Sequence, residues 1–294
     1  MSNSVFYSHQ DSSLDAAWAH AYLELIEHPS RELAPFTVSI VAAGGLTVPD
    51  SLSHPMVKAL DACLEQDDHQ NVEKVAFTIF PERLWRICGG DRQELYREFM
   101  LSLRTYVKWE PQKNKGGMYF GRLIGFGIDH KTGKDLGYEP TMVLAKDGNQ
   151  LEHIIRQCKK SAGQRRSVAR MQLQATTFDP FRDLTSASRP CFPCLQHIAF
   201  DPDIKAGSLS LTAFYATQQL FVKAYGNWLG LCRLGTFVAG QAGLKFTRFT
   251  CFVGVQKMDI LPNRGELRTN LIQTARDVVS QKVASGQMVP QHAF

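Results

Sequence analysis

What most constrains this chain is the order of its hydrophobic periods. Helix-spaced and strand-spaced segments interleave with no regular strand–helix–strand repeat. A doubly wound parallel sheet needs that repeat. The pattern instead predicts an α+β fold, a large mixed β-sheet packed with helices. No Gly/Ser linker, low-complexity stretch or internal repeat marks off a second domain, so residues 1–294 are expected to form one.

The segments can be read individually. In Leu14–Glu27, Trp18, Tyr22 and Leu25 recur on one helical face, with Ser12 or Ser13 as the cap and Pro29 as the stop. Phe36–Val41 alternates Phe36, Val38 and Ile40 with Thr37 and Ser39, the period of a strand. Helical spacing returns over Asp91–Val107 (Leu95, Phe99, Leu103, Tyr106) and Gln150–Ala162 (Leu151, Ile154, Ile155, Cys158), with Gly163 as the expected stop. Strands then concentrate at Ser167–Ala175, Cys194–Phe200, Ser208–Tyr215 and Phe246–Val255, with a turn over Asp201–Gly207. A long apolar helix is predicted near Gln219–Ala239 and an amphipathic one over Glu266–Val283.

Composition narrows the class. Apolar residues make up 44% and charged residues 21%, which excludes a disordered or collagenous chain. No apolar run reaches the ~18 residues of a membrane span. The net charge of +5 is too weak a signal for a duplex nucleic-acid partner, yet a few arginines converging in a cleft would suit a small anion. Residues 1–15 lack the basic and apolar regions of an export signal. The seven cysteines therefore read as reduced thiols of a cytoplasmic protein.

Cys191 and Cys194 form a Cys-x-x-Cys pair. A zinc site would need two more close ligands, and no second such pair or His-x-x-x-His is present. A redox pair belongs at a helix start after a strand, whereas this pair precedes the strand-like Leu195–Phe200. Two structural thiols or a single nucleophilic thiolate remain. Cysteine is a strong soft nucleophile, and nearby cations lower its pKa. Arg165 and Arg166 stand upstream; adjacent arginines are commonly a solvated pair, but their forks also match phosphate.

Several segments together resemble the thymidylate synthase family. Asn149–Arg166 is similar to its helix, turn and paired arginine. Pro193-Cys194-Leu195-Gln196 resembles its Pro-Cys nucleophile motif, and Gly207–Tyr215 the strand that follows. Lys223–Asn227 resembles the stretch carrying the pyrimidine-reading asparagine. Upstream, Glu82–Trp85 with Gly89 and Asp91, then Trp109 and Tyr119–Arg122, resemble further motifs in the same order. The likeness covers about Val75–Val255 and is most specific over Gln150–Asn227.

The resemblance implies a chemistry. In that family the cysteine adds to C6 of a pyrimidine, making C5 a carbon nucleophile toward the methylene of 5,10-methylene-tetrahydrofolate. Carried over, Cys194 is the nucleophile and Glu82 the acid/base group. Asn227 reads the O4/N3 edge, with Gln196 and Gln219 as further substrate contacts. Arg165 and Arg166 hold the phosphate across a homodimer interface. Trp85, Trp109 and Phe120 (or Tyr119, by a one-residue shift) flank the folate. No metal is implied. The partner is a pyrimidine nucleotide or nucleoside, and the product carries a methyl or hydroxymethyl group.

The departures lie in the sugar-phosphate grip. Ala216 occupies the place of an arginine that touches phosphate and nucleophile, and Gln219 replaces an acidic residue. The family's His-x-Tyr pair falls near Val255-Gln256-Lys257, where neither His nor Tyr stands. Two other readings follow from these losses: a folate-independent reaction on the same fold, and a non-catalytic pyrimidine-binding protein.

Overall fold

In a computed structural model, residues 6–46, 48, 53–109, 117–130, 132–137, 148–164, 169–184, 186, 193–260 and 265–284 are described. The chain opens with β1 (Tyr7–Asp11), α1 (Leu14–Glu27), β2 (Glu32–Leu33) and β3 (Phe36–Val41). Helices α2 (Pro55–Gln66), α3 (Val72–Phe77), α4 (Glu82–Ile87), α5 (Arg92–Trp109), α6 (Tyr119–Ile124) and α7 (Gln150–Gln164) follow. Then come β4 (Gln174–Thr176), α8 (Pro180–Asp183), β5 (Leu195–Asp203), β6 (Ser208–Gln219), α9 (Tyr225–Ala242), β7 (Lys245–Lys257) and α10 (Glu266–Ala284).

Among the described residues, the strands form one mixed sheet in the order β1-β3-β7-β6-β5-β4, with β2 also on β7. β1 runs parallel to β3 and β6 parallel to β7, while β3–β7, β4–β5 and β5–β6 are antiparallel. This agrees with the expected α+β class. One face buries Phe36, Val38, Leu211, Ala213, Phe249 and Cys251. Each large side chain so buried contributes about 1.5–3 kcal/mol. On the other face Thr37, Ser39, Phe214, Thr250 and Phe252 are half-buried and Thr212 is exposed. The Phe214 and Phe252 rings stack there, with centroids 5.7 Å apart.

The α9 helix is apolar nearly all round and runs through the core, as such helices must. Gly226 lets α3 approach it: a Cβ there would lie 2.6 Å from the Val75 Cβ. At its far end Gly243 adopts φ +72, the left-handed stop that glycine allows. No helix among the described residues is long and apolar enough to cross a membrane.

Ser13 caps α1, whose bounds, like those of β3, are those expected. Other segments differ. The strand expected over Ser167–Ala175 is a 3₁₀ turn at Arg170–Gln172 followed by the short β4, and Ser167 and Val168 lie outside the described residues. That turn breaks the alternation, leaving Met171 85% exposed rather than inward. Tyr106 is also exposed; Val107, four residues after Leu103, takes the inward position. The α7 helix continues through Gly163, which lacks the positive φ of a stop. β5 runs on to Asp203, shortening the expected turn. The segment near Gln219 also differs: β6 extends to Gln219 because β7 continues beside it, a π-turn spans Leu220–Ala224, and α9 begins only at Tyr225.

Candidate active site

Cys194 stands just before β5, exposed, on the buried Pro193. It was expected inside the strand; pairing begins one residue later, at Leu195 opposite Tyr215. The next pair is His197 with Phe214, so Gln196 is the extra residue of a β-bulge. Bulges re-aim the chain beside functional residues. The Gln196 carbonyl is not wasted, since it accepts hydrogen bonds from Thr177 N at 3.0 Å and Thr176 Oγ1 at 3.1 Å. The Thr177 hydroxyl donates to the Leu195 carbonyl.

Two tyrosines stand behind the thiol. Tyr119, the first residue of α6, receives the Leu195 backbone N–H on its phenol oxygen at 3.5 Å. Burial, and then the nearby Cys194, push its pKa above the ordinary tyrosine range, so it stays protonated at neutral pH. Tyr215 is fully buried on β6, and its hydroxyl has no hydrogen-bond partner among the described residues. Beneath them, the buried Arg122 donates to Asp183 through both terminal nitrogens, at 2.5 and 2.7 Å, and to the Thr177 carbonyl at 2.7 Å. Gln150 bridges the Arg122 carbonyl at 3.1 Å and the Thr176 carbonyl at 2.9 Å. The start of β5 is thereby tied to α6, α7 and α8.

The far end of β6 carries the second group. Trp228 Nε1 donates to Gln218 Oε1 at 3.0 Å, and Gln256 Nε2 donates to the Gln218 backbone carbonyl at 3.0 Å. These bonds fix both amides, leaving the buried Gln218 Nε2 and Gln256 Oε1 without partners among the described residues. Asn227, beside Trp228 in the first turn of α9, is 5% exposed. Trp18 Nε1 on the Leu220 carbonyl (3.2 Å) and the Phe221 N–H on Asp259 (3.2 Å) hold the turn leading to it. Gln219 is exposed at the end of β6, and Ala216 is exposed three residues earlier.

The third group is on α4. Glu82 opens this helix, half-buried, with Arg86 Nε at 2.9 Å. Trp85 is partly buried, its ring edge-on to Phe237 of α9 at 5.0 Å. Phe120 is fully buried against Phe80 and Phe99, at 5.7 and 4.9 Å. Its backbone N–H donates to the Thr78 carbonyl at 2.8 Å, which joins the segment before Glu82 to the helix carrying Tyr119.

Arg165, Arg166, Cys191 and the Trp109 side chain lie outside the described residues. Among the described ones, no cluster of three His, Cys, Asp or Glu could hold a metal ion. Sequence reading missed Thr177, Asp183 and Gln218. No sequence signal sets them apart, since each stands beside other polar residues, and Arg122 lies 61 residues from Asp183.

A comparison with known proteins bears on this arrangement. Over 104 residues, 35% of its length, the chain is 33% identical to a putative thymidylate synthase of Methanopyrus kandleri. It spans 45% of that protein, less than half its length. No protein-family model matches the chain. The match lends loose support to a place in the thymidylate synthase superfamily.

Proposed function

We propose that this protein, as one thymidylate-synthase-like domain in the cytoplasm, transfers a one-carbon unit to C5 of a pyrimidine nucleotide through a covalent bond between Cys194 and C6. The observation that carries this reading is the exposed Cys194 thiol at a bulged strand start, braced by Tyr119. The partial match to a putative thymidylate synthase supports it.

Cys194 Sγ forms a bond to C6, and the C5=C6 electron pair moves toward O4, leaving an enolate. The buried Asn227 amide donates to O4 and accepts from N3–H, stabilising that charge. Glu82 takes up and returns protons; Arg86 beside it holds the carboxylate in place. A base takes the C5 proton, the C5–H electron pair re-forms the C5=C6 double bond, and Sγ leaves C6 as the thiolate. Arg165 and Arg166 bind the phosphate across a homodimer interface, to which the uncovered sheet face with Phe214 and Phe252 is suited. Gln196 and Gln219 face the sugar.

The donor set on α4 fits a folate. A half-buried indole at Trp85 can stack on a flat pterin-type ring, and Glu82 one turn earlier can accept its N–H groups. Trp109 lines the same ligand, and Phe120 backs it from the core. When bound, 5,10-methylene-tetrahydrofolate supplies the one-carbon unit.

Mass-spectrometric trapping tests the reading. The protein is mixed with 5-fluoro-dUMP, 5-fluoro-UMP or the corresponding cytidylates, with and without methylene-tetrahydrofolate. The expected result is a folate-dependent adduct on Cys194 with one of them, absent in Cys194→Ala. No adduct with any of the four overturns the reading in favour of a binding role.

A further inference from the structure

The opposite end of the β5–β6 pair holds a cavity of about 510 Å³, lined in part by Arg170, Asp201, Ser208, Ser210, Lys245 and Arg248. The nine residues of β5 separate it from Cys194 by roughly 25 Å at the usual strand rise.

Two rows of side chains cross the sheet here. Asp201 pairs with Ser210, and Ser210 with Arg248; Asp203 pairs with Ser208, and Ser208 with Lys245. In a regular strand, residues three apart point to opposite faces. Lys245 and Arg248 would then be separated by the sheet. The register shift between Leu209 and Ser210 makes Thr247 an extra residue and sets both cations beside the two serines. The Thr247 carbonyl stays satisfied, accepting from Ala42 N at 3.0 Å.

The carboxylates of these rows are already engaged. Asp201 lies 2.6 Å from Arg170 Nε. Asp203 accepts the backbone N–H groups of Lys205 at 3.0 Å and Ala206 at 2.9 Å. Among the described residues, no carboxylate pairs with Lys245 or Arg248, and both are exposed. An ammonium, a guanidinium and two hydroxyls on adjacent rungs form a donor set for a tetrahedral oxyanion. The volume lies in the ~300–1,000 Å³ range of small-molecule sites.

We propose that this cavity binds a small phosphate-bearing metabolite, its phosphate held between Lys245 and Arg248 with Ser208 and Ser210 donating hydroxyls. The site is separate from the one around Cys194 and does not depend on the reaction assigned there.

Calorimetric titration of the full chain at low salt, with pyrophosphate and with inorganic phosphate, tests this. Pyrophosphate binds the wild type, and Lys245→Ala/Arg248→Ala weakens it at least tenfold. Lys58→Ala, which removes an exposed cation on α2 that does not line the cavity, leaves binding unchanged. In Arg165→Ala/Arg166→Ala, which removes the phosphate grip proposed for the other site, the binding that depends on Lys245 and Arg248 persists. No binding at millimolar pyrophosphate, or equal binding by the Lys245/Arg248 variant, overturns the proposal. It is equally overturned if that variant turns a wild-type dimer into a monomer in sedimentation and the wild type binds no phosphate, since the two cations then serve contact between copies.

Discussion

The phenol oxygen of Tyr119 lies 3.5 Å from the backbone nitrogen of Leu195, so the first turn of α6 braces the first paired residue after Cys194. Burial keeps that phenol protonated at neutral pH, and a neutral hydroxyl can accept the N–H without adding charge beside the thiol. Tyr119→Phe removes the acceptor and lowers stability by about 1 kcal/mol. Because displacement of a reacting group by about 1 Å can cost ~100-fold in rate, adduct formation at Cys194 slows by roughly 10- to 100-fold. Urea melts read the first effect and time-resolved mass spectrometry the second. An unchanged adduct rate would deny Tyr119 a positioning role.

The Arg122–Asp183 pair is the most deeply buried ion pair in this region, its side chains 5% and 2% exposed. Replacing Arg122 with Leu leaves the Asp183 carboxylate uncompensated, at a cost of about 3–5 kcal/mol. The double variant Arg122→Leu/Asp183→Leu recovers much of that loss, because neither charge then remains buried. A double-mutant cycle from denaturant melts measures the coupling. Additive single effects would show that the two groups do not act as a pair.

How much of this was legible in the sequence depended on whether one period could be read locally. Leu14–Glu27 and Phe36–Val41 have strong periods, and the helix has a cap, so their bounds matched. The strand after Cys194 is legible for the same reason, although the expected start at Cys194 is one residue early. The edge strand Tyr7–Asp11 went unread because it is mostly polar, and the strand expected over Ser167–Ala175 shrinks to the short β4 because a 3₁₀ turn at Arg170–Gln172 interrupts it. The bracing around Cys194 was illegible in a different sense. Arg122, Gln150, Thr177 and Asp183 come from separate elements, and only the fold decides which polar residue meets which.

Gly226→Ala tests the contact of α3 with α9. The added Cβ would meet the Val75 Cβ at 2.6 Å and the Val72 carbonyl oxygen at 2.8 Å, with backbone on one side that cannot rotate away. The gain in helix propensity, about 1 kcal/mol, is outweighed. Overpacking of this kind costs roughly 1–3 kcal/mol, so after the propensity gain the variant is expected to be less stable by up to about 2 kcal/mol. It also shifts the α9 start and so moves Asn227, which under the proposed function lowers pyrimidine affinity. A thermal melt at or above that of the wild type would contradict the close contact.

Acid should destabilise the fold in two windows, the upper one governed by His130. This side chain is 7% exposed, with Nε2 at 3.3 Å from the Gly125 carbonyl. Burial pushes its pKa down to about 4; the Gly125 carbonyl opposes this, and the Arg122 and Arg182 cations add to it. In the unfolded chain an imidazole titrates near 6.5. Between about pH 4 and 6.5 the unfolded state therefore binds more protons, and stability rises with pH through that window. The contribution, on the order of 3 kcal/mol, is complete above about pH 6.5 and lost as pH falls toward 4. Glu152 acts lower down: burial pushes its pKa up, but Arg92 and Arg156 together outweigh this and hold it below the ordinary carboxylate range, so its contribution disappears as pH falls below about 4.5. Denaturant melts from pH 7.5 to 4.5 should therefore show a falling unfolding free energy in the wild type and a flatter profile in His130→Gln. Equal slopes for the two proteins would remove His130 from the account.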